Sequence, residues 1–179
     1  MFSYDSFVEA ARAAAASAEP GKAVRELLSE TVRDPELQAA GLPDQDEGET
    51  HLFEDETVSI WSCRFDPDVV MPPHEHLMDV HIGVVTGGEK NIFFREEDGR
   101  LVHVSSKVVQ PGDVLSLGRN AIHGVTADGD RQSHALHVYI GPLMQIERRL
   151  FEWQSGRSVP FTMENFARLT LPPEDLPAY

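Results

Sequence analysis

The sequence has 179 residues, with 15 Lys and Arg against 30 Asp and Glu, a formal net charge of −15, 8 His and one Cys. This length is that of one ordinary domain with a true core, and 41% hydrophobic residues exclude general disorder. So acidic a chain lacks the basic surface that nucleic acids and anionic membranes require, so neither is expected as a partner. Cys63 cannot form an internal disulfide, and no apolar run resembles a signal peptide or a membrane span. We therefore expect a cytoplasmic protein.

Residues 1–45 are predicted to form a helical segment that precedes a β-barrel domain at 46–179. Ser6 and Glu9 have the spacing of a capping box, and apolar residues then recur at helical intervals. Pro20 and Gly21 end this first helix, and Val24, Leu27, Leu28 and Val32 form the apolar stripe of a second. Asp34 followed by Pro35 predicts the start of a short third helix.

The remainder of the chain predicts an all-β structure. Short, alternating, β-branched runs occur at 58–65, 79–86, 91–96, 101–109, 113–117, 122–126 and 134–140. Asp98-Gly99 indicates a type I′ hairpin, and the stretch 148–163 predicts a further hairpin. Many short strands without intervening helices are typical of a sandwich or a small barrel.

Four histidines are the candidates for a metal site. His74 and His76 are two residues apart, so on a strand their side chains lie on the same face. His81 begins the following strand, and His123 lies in a later one. A cluster of neutral imidazoles with open coordination positions suits Fe(II), Ni, Cu or Zn, and one cysteine excludes a thiolate site. The competing interpretation is that these histidines are ordinary polar residues.

Two stretches resemble the two cupin motifs. PPHEHLMDVHIGVVTGG at 72–88 is similar to the first motif, with His74 and His76 as its leading histidines and Gly88 as its closing glycine. PGDVLSLGRNAIH at 111–123 resembles the second motif, whose histidine completes the metal site. This resemblance implies a double-stranded β-helix of the jelly-roll type. His81 occupies the position of the motif's glutamate, so it is expected within reach of the metal, either as a fourth ligand or beside the other three.

The carboxy-terminal part resembles the cysteine-dioxygenase type of thiol dioxygenase. LHVY at 136–139, GPL at 141–143 and the hairpin that follows are similar to the end of that family. The resemblance implies one Fe(II) bound by three histidines, with His137 and Tyr139 matching the histidine and tyrosine of a Ser-His-Tyr relay. Ala135 stands where the relay has serine, so His137 is expected to find another partner. No arginine matches the family's residue for the substrate carboxylate.

The predicted function is a mononuclear metal dioxygenase that oxidises a small anionic molecule. Independently of any family, His137 and Tyr139 lie two apart on one strand, so both can face a pocket and take part in proton transfer. The alternatives are a metal-binding cupin that works without oxygen, as an isomerase, a lyase or a small-ligand sensor, and a purely structural metal. The sequence is compatible with a homodimer but does not determine the oligomeric state.

Overall fold

Two antiparallel β-sheets face each other, and helices cover the outside of one of them. The computed structural model describes residues 2–43 and 48–178; the predicted boundary between 45 and 46 lies outside these residues. The helices are α1 (Tyr4–Ala15), α2 (Pro20–Val32), α3 (Pro35–Ala40) and α4 (Met163–Leu169). The strands are β1 (Glu49–Glu54), β2 (Ser59–Phe65), β3 (Met71–Glu75), β4 (Val80–Thr86), β5 (Gly88–Glu97), β6 (Arg100–Val109), β7 (Val114–Leu117), β8 (Ile122–Asp128), β9 (Ser133–Tyr139), β10 (Arg149–Phe151) and β11 (Ser158–Pro160).

The strand order shows the predicted jelly roll. β2 pairs with β9, β3 with β8, β4 with β7 and β5 with β6, as in one long hairpin folded upon itself. Successive pairs fall on alternate sheets, which have the orders β1-β2-β9-β4-β7 and β11-β10-β3-β8-β5-β6. The side chains that point inward from both sheets therefore enclose one interior, the place where such barrels bind small molecules.

The amino-terminal helices begin directly after an N-cap residue or at a proline. The side chain of Ser3 accepts a hydrogen bond from the backbone N–H of Ser6, so Ser3 is the N-cap of α1. The predicted cap at Ser6 is wrong, because Ser6 already lies inside the helix, one turn beyond Ser3. Pro20 occupies the first turn of α2, and the Asp34 side chain caps α3 as predicted.

The helices share one core with the outer face of the first sheet. Val24, Leu28 and Val32 of α2 are completely buried against residues of β2 and β9, including Ile60 and Val138. The helical segment is therefore built onto the barrel wall and has no separate core. No helix among the described residues is both long and apolar enough to cross a bilayer.

The turns confirm both predicted hairpins, while two elements were not expected. Asp98 and Gly99 have φ values of 50° and 74°, as a type I′ turn between β5 and β6 requires. β10 and β11 pair as the second predicted hairpin. The sequence did not predict β1, which has little apolar alternation, or the short helix α4 behind the last hairpin.

Candidate metal centre

Three of the predicted histidines meet inside the barrel. His74 on β3 lies directly opposite His123 on β8 in the antiparallel ladder, so the two side chains project from the same face. His76 follows two residues after His74 and returns to that face. The ring centroids are 4.6 Å apart for His74 and His123, 4.9 Å for His74 and His76, and 5.0 Å for His76 and His123. One nitrogen from each ring lies within 4.8 Å of the other two.

The hydrogen bonds of these histidines leave nitrogen atoms available for a metal. His74 Nδ1 lies 2.9 Å from the carbonyl oxygen of Pro72, which can only accept, so the proton is on Nδ1 and Nε2 keeps its lone pair. His123 Nδ1 lies 2.6 Å from Asn91 Oδ1, and its Nε2 is buried without a partner among the described residues. His76 Nδ1 is likewise buried and unpartnered within the described chain. Buried polar atoms of this kind call for a ligand, and a transition metal fits them.

Burial keeps all three rings neutral. Desolvation lowers the pKa of His74 to about 4 and lowers the pKa values of His76 and His123 well below the usual value for histidine. Mutual repulsion between the rings adds to the effect at His76. A neutral imidazole is the form that binds a metal, so near pH 7 no proton has to leave before coordination.

His81 does not join this group, contrary to the expectation from the sequence. It alternates along β4 with Val80 and Ile82, whose side chains fill the barrel interior, and it therefore points to the opposite face of the sheet. There its Nδ1 lies 2.7 Å from Ser116 Oγ, and its ring packs under the start of α2, near Gly21. Burial in this position lowers its pKa. The offset of five residues from His76 spans the turn between β3 and β4, so the motif spacing alone could not give the direction of the side chain.

His137 and Tyr139 both face the interior beside the three histidines. The Tyr139 ring centroid is 5.1 Å from that of His76, and its hydroxyl oxygen is 3.3 Å from His137 Nδ1. Both side chains are buried. Desolvation raises the pKa of Tyr139 well above its usual value, so the hydroxyl stays protonated. The structure therefore places a proton-carrying phenol next to the candidate metal centre.

Two interior polar residues of β5 were not predicted. Register places Glu89, Asn91 and Phe93 on the inner face of β5, opposite inward-facing residues of β8. Glu89 Oε1 accepts a hydrogen bond of 2.9 Å from Asn91 Nδ2, and Glu89 Oε2 lies 3.4 Å from His137 Nε2. The signal in the sequence was the pair of polar residues at i and i+2 beside apolar Ile92, Phe93 and Phe94.

Cys63 takes no part in this centre. It is buried in an apolar cluster with Phe65, Met71, Val125 and Ala127. Desolvation, with smaller contributions from the charges of Glu49 and Glu89, raises the pKa of its thiol well above the usual value. The thiolate is therefore suppressed, and Cys63 is a residue of the apolar core.

A cavity of about 1480 Å³ opens from the histidines to the surface. His74 and Tyr139 line its inner end, and Arg148 and Glu49 lie on its walls. The Arg148 guanidinium stacks 4.1 Å above the ring of Phe161, which itself lies 6.2 Å from the His74 ring. Desolvation lowers the pKa of Arg148, and it raises the pKa of Glu49, which is open to the cavity yet surrounded by protein. A cation one aromatic ring away from His74 suits an anionic ligand.

Arg148 and its neighbour Arg149 have different partners because they point to opposite faces. Arg149 binds the buried carboxylate of Glu75 with two hydrogen bonds, of 2.7 and 2.8 Å. Glu75 in turn alternates with His74 and His76 and so points away from the three imidazoles. Both arginines line the cavity, but the charge of Arg149 is compensated by Glu75 in an ion pair, while Arg148 lies over the ring of Phe161.

Solved structures with a similar fold include a lyase and a dioxygenase, at low sequence identity. DMSP lyase DddQ from Ruegeria pomeroyi DSS-3 aligns with 15% identity and a TM-score of 0.45 over 55% of this chain and 48% of the lyase, so the match spans about half of the lyase. Hydroquinone 1,2-dioxygenase from Sphingomonas sp. TTNP3, solved with 4-hydroxybenzoate, aligns with 12% identity and a TM-score of 0.45 over 56% of this chain and 69% of the enzyme. A cupin superfamily protein from Desulfitobacterium hafniense DCB-2 aligns with 19% identity and a TM-score of 0.42 over 58% of this chain and 86% of that protein.

No protein-family model matches the chain, and no curated protein sequence does either. The similarities to solved structures concern the backbone and assign no activity. The relation to the cysteine-dioxygenase type therefore stays a prediction.

Proposed function

We propose that the protein is a mononuclear Fe(II) dioxygenase that oxidises a small anionic molecule, as the resemblance to thiol dioxygenases implies. The observation that carries the proposal is the group of three neutral, inward-facing imidazoles. Within the described residues, His76 and His123 each have a buried, unpartnered nitrogen, and His74 lines a cavity. His74, His76 and His123 would hold the metal. When bound, Fe(II) in such a site supplies redox chemistry and open coordination positions for dioxygen and substrate.

The charges of the site favour an anionic substrate. Three neutral ligands do not compensate the double charge of the ion, unlike a site that includes a carboxylate. Arg148 adds a second positive charge on the cavity wall. A substrate whose thiolate, enolate or carboxylate group enters this field gains electrostatic stabilisation in a partly desolvated place.

Tyr139 and His137 supply the proton-handling groups. The Tyr139 hydroxyl carries its proton at neutral pH and faces the interior next to His76. His137 Nδ1 is within reach of that hydroxyl oxygen and orients it. Substrate bound beside His76 would therefore meet a hydroxyl held in place by His137, which can carry a proton between the substrate and the imidazole.

Oxygen uptake tests the proposal. The metal-free protein would be loaded anaerobically with Fe(II) or Zn(II) and offered small thiols with a carboxylate, diketones and phenols in an oxygen electrode. We expect Fe(II)-dependent uptake with one anionic class, no uptake with Zn(II), and loss of uptake in His123→Ala. Conversion of a substrate without oxygen uptake would instead support the alternative, a cupin that works as an isomerase or lyase. The place of His81 removes one argument for that alternative, a site saturated by four histidines.

Arg148 allows the anionic character of the substrate to be tested. Replacing it in Arg148→Met keeps much of the apolar stem on Phe161 but removes the charge. Since a hydrogen bond to a charged group contributes about 1.5–3 kcal/mol, KM for the anion should rise about 10–100-fold. Arg157→Met is the control, because Arg157 is largely exposed and pairs with Glu152. An unchanged KM in Arg148→Met would contradict the assignment of this cation.

A further inference from the structure

One carboxylate is completely buried beside the candidate metal centre. Glu89 has 0% of its surface exposed, and its two oxygens contact different partners. Oε1 accepts from Asn91 Nδ2 at 2.9 Å, and Oε2 lies 3.4 Å from His137 Nε2. Asn91 Oδ1 in turn contacts His123 Nδ1 at 2.6 Å, and His137 Nδ1 contacts the Tyr139 hydroxyl at 3.3 Å. A single chain of polar contacts therefore runs from His123 to Tyr139.

The direction of the hydrogen bonds in this chain follows from its first member. His123 Nδ1 lies 2.6 Å from Asn91 Oδ1, which can only accept, so the proton of His123 is on Nδ1 whether or not a metal is bound. The amide nitrogen of Asn91 then points to Glu89 and donates to Oε1. A carboxylate has no proton to give, so Oε2 accepts from His137, and the proton of His137 is on Nε2.

We propose that Glu89 is a positioning residue that holds the proton of His137 on Nε2, so that His137 Nδ1 accepts from the Tyr139 hydroxyl. Glu89 thereby serves as the hydrogen-bond acceptor for His137, a role that a serine at position 135 could have filled. Ala135 lies two residues before His137 on the same face, and its methyl group cannot accept a hydrogen bond. The role in turnover rests on the proposed function. The position of the proton does not, because it is a property of the protein without metal.

The isosteric substitution Glu89→Gln gives a sharp test. Asn91 still donates to the carbonyl oxygen of the new amide, so the amide nitrogen faces His137 Nε2 and donates to it. His137 must then accept at Nε2 and move its proton to Nδ1, from which it donates to the Tyr139 hydroxyl oxygen, so that the hydroxyl proton turns away from the imidazole. The matched control is Glu97→Gln on the same strand, because Glu97 is exposed and pairs with Arg95.

Nitrogen-15 NMR of histidine-labelled, metal-free protein above neutral pH measures the result. Protonated and unprotonated imidazole nitrogens resonate far apart, and the His137 signals are identified by their loss in His137→Asn. We expect Nε2 of His137 to be protonated and Nδ1 unprotonated in the wild type and in Glu97→Gln, with the reverse in Glu89→Gln. A wild-type His137 with its proton on Nδ1 overturns the proposal, and so does an unchanged tautomer in folded Glu89→Gln. The wild-type spectrum decides the question alone if the variant fails to fold.

Kinetics then separate this inference from the proposed function. With a substrate found by oxygen uptake, Glu89→Gln should lower kcat about 10–100-fold and leave KM nearly unchanged, because Glu89 acts through His137 and does not touch the substrate. If the tautomer reverses as expected but no substrate consumes oxygen, the proposed function fails and the role of Glu89 in holding the proton stands. If oxygen is consumed and kcat is unaffected by a reversed tautomer, Glu89 does not position the relay for turnover.

Discussion

At the scale of single residues, the three clustered histidines differ from His81 in the face of the sheet to which their side chains point. The carbonyl oxygen of Pro72 and the amide oxygen of Asn91 accept the protons of His74 and His123 and so direct the remaining lone pairs. His81 belongs to the same sequence motif, but its Nδ1 forms a hydrogen bond with Ser116 Oγ at the opposite face of the sheet. The face of the sheet to which each imidazole points therefore separates the candidate ligands from His81, because His81 Nε2 is also buried and unpartnered within the described chain.

The first prediction concerns the metal itself. We expect one metal ion per chain in wild-type protein, and a loss of nearly all of it in each of His74→Ala, His76→Ala and His123→Ala, because two imidazoles leave the ion largely exposed to exchange. His81→Ala is the matched control and should retain the metal. Elemental analysis after gel filtration measures this. Undiminished metal in the three variants, or loss in His81→Ala alone, would contradict the site.

The second prediction concerns Tyr139. Tyr139→Phe removes the hydroxyl but keeps the ring against His76, so the fold and the metal content should be those of the wild type. Since groups that orient a metal site contribute about 10–100-fold to activity, turnover should fall by that factor. Steady-state kinetics with the substrate and elemental analysis of the same preparation measure the two quantities. Full activity in Tyr139→Phe would exclude a role for the hydroxyl.

At the scale of elements, alternation along each strand decides what belongs to the cavity and what belongs to the helical layer. On β9, Ala135, His137 and Tyr139 face the interior, while Leu136 and Val138 pack beneath the helices. The same strands thus support two cores, and α2 approaches β4 most closely at Gly83. A Cβ at Gly83 would lie 2.7 Å from Val32 Cγ1 and 3.2 Å from Leu28 Cδ2, both of which are buried.

The third prediction follows from this close approach. Gly83→Ala must push α2 outward or force a stiff, buried valine from its rotamer, and overpacking of this kind costs about 1–3 kcal/mol. Urea denaturation should show that loss in the free energy of unfolding. In Gly118→Ala, where the nearest atom lies 3.9 Å from the new Cβ, the change should stay within about 0.5 kcal/mol. Equal stability of the two variants would mean that the helix is not held at this distance.

At the scale of the whole molecule, burying neutral histidines makes stability depend on pH. His74 has a pKa of about 4 in the folded protein against an ordinary value of 6.5, and the pKa values of His76 and His123 are also lowered by burial. Below pH 6.5 the unfolded chain therefore binds more protons than the folded one. The stabilising effect of these groups is complete above pH 6.5 and is lost as the pH falls toward 4.

The fourth prediction is the size of this dependence in metal-free protein. Each buried histidine should contribute a slope of up to about 1.4 kcal/mol per pH unit to the free energy of unfolding below pH 6.5. Urea titrations across that range measure it, and His76→Gln should reduce the slope by about one such contribution. His51→Gln, at an exposed position on β1, should leave the slope as it is. Identical slopes in the wild type and His76→Gln would contradict the burial of a neutral imidazole there.

Much of the architecture could be predicted from local patterns alone. Alternating apolar residues, turn glycines and proline positions placed ten strands and three helices close to where they are found, because each signal depends only on neighbours in the chain. β1 and α4 were not predicted from the sequence, because their apolar faces are narrow and the elements are stabilised by what they pack against. The wrong cap at Ser6 has a similar cause, since Ser3 offers the same chemistry one turn earlier.

The sequence by itself determined that His74 and His76 share one face, and that His137 and Tyr139 do so on β9, because a spacing of two on a strand sets a common face. The histidine on β8 was predicted from the second motif. Only the tertiary structure decided the direction of His81, since the turn before β4 resets the alternation. It also decided that Glu89 lies between Asn91 and His137, and that Arg149 rather than Arg148 binds the carboxylate of Glu75. These contacts join strands far apart in the chain, and their registers follow from the packing of two sheets that no local pattern encodes.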